Sequence, residues 1–235
     1  MHYDSYHSDY NFRPQTDPLA RQRFLSGTYG IMALGLLITF AMAWIVARFF
    51  PQVIYNRFTV LLLLFAQLGT VWSFTRRLGH ASYQATVGMF IFYAALTGLT
   101  MSSIFLLFDL SAISLCFVAS AVSFCTMAVL GYTAKQDLSP MRPILFGGLI
   151  GLLVMSLIGI FLHLPRFQTL LSCFGIVLFL GLTAYDTQKL NQMYYSVAGT
   201  AMEQKYAVFG ALQLYLDFIN LFQYMLMLFG GRDNR

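Results

Sequence analysis

Charged side chains along this chain are confined to narrow bands, and the stretches between them are apolar on every face. Uncharged runs occupy residues 28–47, 58–75, 81–108, 110–134, 144–162 and 167–185, and a seventh, 206–231, is broken only by Asp217. A hydrocarbon core about 30 Å thick needs roughly 20 helical residues at about 1.5 Å each, which is the length of these runs. Backbone amides cannot be left unpaired in lipid, so spanning segments are helices or closed barrels. Barrel strands alternate apolar and polar positions, and these runs do not. The pattern therefore predicts an all-α polytopic membrane protein with seven transmembrane helices in one bundle.

The polar segments complete this organisation. Residues 1–25 are expected to form a polar, disordered cytoplasmic tail, followed by a membrane domain over 26–235. His2, Asp4, His7 and Asp9 in that tail are too loosely spaced to indicate a metal centre. The first apolar run is too long for the core of a signal peptide, so it is expected to remain in the membrane. The segment from Asn191 to Lys205 is expected to be the longest connection, with Tyr194, Tyr195 and Tyr206 at a membrane interface.

Composition agrees with the pattern. The 235 residues are 58% hydrophobic and 10% charged, with mean hydropathy +0.68, against about 25% charged in a soluble domain. With the N-terminus inside, nine of the 14 Lys and Arg fall on cytoplasmic segments, which predicts N-inside and C-outside. The net charge of +5 then reports topology. No basic stripe with interleaved aromatics points to nucleic acid, so the lipid bilayer is the expected partner. Cys116, Cys125 and Cys173 lie inside apolar runs without paired spacing and are expected to be packing residues.

Small residues recur at helix-packing spacing in Gly98-x-x-x-Ser102 and Gly147-x-x-x-Gly151. A short echo, LGYTA at 130–134 and LGLTA at 180–184, ends the fourth and sixth runs on the same side. Gene duplication and chance similarity both explain five residues of this type.

The chemistry concentrates on two carboxylates. Most acidic residues lie on tails or loops, which leaves Asp186, at the end of the sixth run, and Asp217, inside the seventh. An aspartate near the bilayer centre costs about 2.5 to 3.5 kcal/mol to insert and should face the bundle interior. Helix rise puts both carboxylates in the inner third of the membrane on consecutive helices. If they meet, two like charges in a low dielectric would share a proton, and the ionised pair would offer hard oxygen ligands to calcium or another cation. In the plainer alternative, Asp186 is a solvated helix end and Asp217 bonds a hydroxyl such as Tyr185 or Tyr215.

GLTAYDTQKL at 181–190 and LYLDFINLF at 214–222, with TGLTMSSIF at 97–105 and GYTAKQDLS at 131–139, resemble the transmembrane Bax-inhibitor-motif family, in particular its bacterial inner-membrane members. The likeness runs through the chain after the polar tail. It implies a seven-helix fold with the last helix central, and a pH-sensitive calcium leak controlled by a di-aspartyl pair that maps onto Asp186 and Asp217. The family's latch arginine maps onto Arg76 or Arg77, which read equally well as positive-inside charges. Gln67 stands where some relatives carry a glutamate, and Ser102 and Ser103 where some carry a proline.

Two other functions share features of this pattern. Two membrane aspartates on consecutive helices are also the arrangement of intramembrane aspartyl proteases, but those need G-x-G-D around the second carboxylate. Here Leu214, Tyr215 and Leu216 are bulky where glycine is required. No catalytic residue and no cofactor other than a possible calcium ion is therefore expected, and the chain reads as a non-enzyme. The resemblance also allows a non-conducting interaction protein that modulates a membrane-anchored quality-control protease, with the N-terminal tail as its handle.

Overall fold

The computed structural model describes residues 18–52, 57–162 and 165–231. Its long helices are α1 (Pro18–Phe49), α2 (Arg57–Arg77), α3 (Tyr83–Met101), α4 (Leu110–Thr133), α5 (Arg142–Leu162), α6 (Pro165–Val197) and α7 (Glu203–Phe229). A single helical turn, Ile104–Leu107, extends α3, and a 3₁₀ turn, Ser139–Met141, precedes α5. Among the described residues the chain is all-helical, and six helices are long and apolar enough to cross a membrane: α1, α3 with its extension, α4, α5, α6 and α7. The region expected as the second span is the 21-residue helix α2.

α7 is the hub. It packs against α6, α1, α4 and α3, while α2 packs chiefly on α3 and α5 on α6. Gly210, Ala211 and Leu212 are all buried, as are Asp217, Phe218 and Ile219. Three consecutive buried positions at about 100° each cover more than half of the helix circumference, so α7 is enclosed by its neighbours. The outer helices instead present Leu61, Leu62 and Phe65 on α2 and Ile144 and Ile150 on α5. Apolar groups facing outward suit lipid as the surrounding solvent.

Small residues set two of the crossings. A Cβ at Gly98 would overlap Met42 and the Thr39 carbonyl of α1, and one at Gly131 would overlap the Ala184 backbone of α6. The two echoed motifs thus meet in space, the glycine of the first against the alanine of the second. Gly147 and Gly151 differ from expectation because both are exposed with open space beside them. α5 meets α6 through Leu145, Gly148 and Leu152 instead, about a third of a turn around the helix.

Three boundaries also differ. α1 begins at Pro18, so residues 18–25 belong to a helix and not to the expected tail, and Phe24 is buried within it. Residues 1–17, including His2, Asp4, His7 and Asp9, lie outside the described residues. α6 continues to Val197, well past the end of its apolar run. The continuation is amphipathic, with Leu190, Tyr194 and Val197 buried on one stripe. Tyr194 packs on the Phe24 ring at 5.3 Å, so it is an interior residue, and the connection to α7 shrinks to a tight turn. Gly199 in that turn has φ of 72°, a left-handed conformation that ends α6 and is suited to glycine, and its N–H donates to Glu203 Oε2 at 2.8 Å. Of the cysteines, Cys116 is buried as expected, but Cys125 and Cys173 are exposed.

Candidate functional site

The Gly199 turn sets the register between α6 and α7. Counted from the helix ends at that turn, Asp186 stands about 16 Å back along α6 and Asp217 about 21 Å along α7. The offset is about one helical turn, and Asp217 lies within electrostatic range of Asp186 across the contact between the helices. The surroundings of the two differ. Asp217 is 4% exposed, and its Oδ2 is fully buried with no hydrogen-bond partner among the described residues. Asp186 is partly exposed. It is not a solvated helix end, because α6 runs on to Val197.

Of the two hydroxyls suggested for Asp217, that of Tyr215 is engaged elsewhere. Tyr215 OH bonds Thr39 Oγ1 of α1, because residues two apart on a helix point to different sides. Thr39 also donates within 3.0 Å of the Gly35 and Ala94 carbonyls, and the rings of Phe90 and Tyr93 stand edge-on to Tyr215 at 5.6 and 6.0 Å. Farther out, Gln67 Nε2 of α2 donates to Thr100 Oγ1 at 3.0 Å and lies 3.4 Å from Thr97 Oγ1. Thr97 in turn donates to the Tyr93 carbonyl at 3.0 Å. A set of buried hydroxyls and amides therefore links α2, α3, α7 and α1 beside the aspartate pair.

The rest of the YDTQ block faces several partners. Tyr185 is buried, and Thr187 Oγ1 lies 3.5 Å from Tyr29 OH of α1. Gln188 uses both ends of its amide on the loop after α4: Oε1 accepts from Leu138 N at 2.7 Å and Nε2 donates to Gln136 O at 2.8 Å. Lys189 is a cation whose charge reaches both carboxylates. Its Nζ lies 6.0 Å from the Tyr185 ring centroid.

The arginines are not brought to the aspartates. Arg76 and Arg77 are both exposed, and the Arg76 guanidinium lies 4.0 Å from the Trp72 ring centroid. Sequence reasoning missed Gln188 and Thr39, and it named Tyr215 with Asp217 as the partner instead of Thr39. Thr39, like Gln67, Thr97 and Thr100, is a polar residue inside an apolar run, which was the available signal of the hydroxyl network.

The model of the family described as Inhibitor of apoptosis-promoting Bax1 matches residues 21–234, which take in every long helix apart from the first residues of α1. The chain is 38% identical over 229 residues to the inner membrane protein YbhL of Escherichia coli strain K12, covering 93% of this chain and 98% of that protein. It is 36% identical over 220 residues to an uncharacterized protein of Borreliella burgdorferi, covering 92% and 95% of the two chains. The protein RP147 of Rickettsia prowazekii is 34% identical over 213 residues, with 90% of each chain covered.

The chain belongs to the Bax inhibitor family. The four sequence blocks that suggested it lie on or beside α3, α4, α6 and α7, and the two most specific of them face each other across the α6–α7 contact. This member of the Bax inhibitor family is an integral membrane protein whose outer helix faces contact the lipid bilayer.

Proposed function

We propose that this Bax inhibitor family chain is a pH-sensitive cation leak, with calcium as the permeant ion and Asp186 and Asp217 as its gate. The observation that carries the reading is the Asp217 Oδ2 atom, buried without a donor while a second carboxylate lies within electrostatic range. An acidic oxygen in such surroundings is met by a proton or by a cation, and competition between the two makes ion passage depend on pH. Lys189 supplies one positive charge against two negative ones. Calcium takes about six to eight oxygen ligands, and two carboxylates supply at most four, so water or further protein oxygens would have to complete the shell. Such a site suits an ion in transit better than a stored one.

Asp217 is too enclosed at 4% exposure for an ion to reach it without helix movement, which makes this packed arrangement the closed state. In this reading α2, about 31 Å long, is the seventh span. Arg21, Arg76, Arg77, Lys135, Arg142, Lys189 and Lys205 belong to the helix ends and loops tied together at the Gln188 end of the bundle, which supports a cytoplasmic placement of that end. The name of the YbhL relative favours the bacterial inner membrane.

Calcium flux into proteoliposomes across a pH series tests the proposal. The native chain should conduct with a pH-dependent rate, and Asp186→Asn and Asp217→Asn should each change the rate and flatten its pH response. Native-like flux and pH response in both variants would contradict it.

A further inference from the structure

Away from the aspartate pair, an open cleft of about 630 Å³ lies between α1 and α4, with Thr187 of α6 also in its lining. Among the described residues that line it, Arg21 is the one charged side chain. It is held in place: Nε donates to Asn191 Oδ1 at 2.7 Å, and the guanidinium carbon lies 5.0 Å from the Tyr132 ring centroid and 5.8 Å from that of Tyr195. These contacts use Nε and the guanidinium face. The N–H groups at the far end of the fork make no hydrogen bond among the described residues and can take an anion, and none of the described residues that line the cleft is a carboxylate.

A planar guanidinium fixed in this way matches the paired oxygens of a phosphate. Gln22, Ser26 and Tyr29 on α1 continue the lining with polar groups. Successively deeper on α4 come Val129, Ala128, Cys125 and Phe124, an apolar wall. Val129 is 61% exposed, so the cleft opens sideways onto the outer surface of the bundle. A cationic mouth, an apolar α4 wall facing a polar α1 side, and a lateral opening suit the head group and acyl chain of a phospholipid. The volume falls within the range of about 300 to 1,000 Å³ usual for small-molecule sites. Basic pockets between helices on the cytoplasmic side favour anionic head groups over zwitterionic ones.

We propose that this cleft binds an anionic phospholipid, with Arg21 taking the phosphate and the α4 wall taking an acyl chain.

Native mass spectrometry of the full chain, released from micelles containing phosphatidylglycerol and phosphatidylcholine with identical acyl chains, tests this directly. The native protein should retain phosphatidylglycerol in about tenfold preference. Arg21→Gln should bring the ratio close to parity, whereas Arg23→Gln, exposed and outside the cleft, should leave it unchanged. Val129→Trp fills the apolar wall from an exposed position and should weaken retention of both lipids, which keeps the test decisive if Arg21→Gln fails to fold. Free glycerol phosphate at the lipid concentration should displace nothing. A native lipid preference in Arg21→Gln, unchanged retention in Val129→Trp, or displacement by glycerol phosphate would each overturn the assignment, the last by making the occupant a soluble anion.

Discussion

Gln188 shows how much one side chain can hold when both ends of its amide are used. By accepting from Leu138 N and donating to Gln136 O, it ties the loop after α4 to the helix that carries Asp186. Gln188→Leu keeps the bulk but leaves both loop groups unpaired, and it should lower stability by about 1 to 3 kcal/mol, read as a fall in the thermal midpoint in micelles. An unchanged midpoint would show that the loop is held by other contacts. Asp137, in the same loop and outside the spans, accepts from Ser139 N at 3.0 Å, and this bond holds its carboxyl below the ordinary value of 3.8. A lowered folded value means that the contribution to the turn is present at neutral pH and is lost as pH falls through that lowered value. NMR titration of Asp137 should give a midpoint below 3.8, and a midpoint at or above 3.8 would contradict the bond. Asp217 was legible in the sequence because one charge inside an apolar run stands out in one dimension. Its neighbours were not. The direction in which Tyr215, Gln188 and Lys189 point depends on rotation about the helix axis and on where α6 ends.

At the scale of elements, the apolar runs located the long helices, because a run of that length without charge has few other stable forms in lipid. They misplaced the end of α6, since hydrophobicity stops at Tyr185 while a buried stripe of Leu190, Tyr194 and Val197 carries the helix onward. Glycine spacing was an equally partial guide. Gly98 and Gly131 sit at crossings, whereas Gly147 and Gly151 face outward, and the pattern alone does not say which face of a helix meets protein. Gly131→Leu should force α4 away from the Ala184 backbone and cost about 1 to 3 kcal/mol or more. The same change at Gly147, beside open space, should be nearly neutral in the thermal midpoint. Equal effects at the two positions would contradict the crossing assigned here.

For the whole molecule, the central place of α7 explains why a single aspartate can bear on so much of the bundle. Asp217 is buried near the middle of the helix that packs against α1, α3, α4 and α6, so any change in its charge state acts on the element those four helices share. The arrangement was expected from family resemblance, not from periodicity, because a helix apolar on every side reads alike in lipid and in a protein interior. A leak built on this core should not need the polar N-terminus. Deleting residues 2–16 should leave calcium flux intact, and loss of flux would favour a protein that acts through its tail.

In the proposed leak, Asp186 and Asp217 act as one unit. The most direct measurement is a double-mutant cycle on calcium flux, comparing Asp186→Asn, Asp217→Asn and the double variant in proteoliposomes across pH. Action as a unit predicts that the double variant behaves like either single one, with its flux and flattened pH response changed no further. Effects that add independently, or a pH response that survives in the double variant, would contradict it.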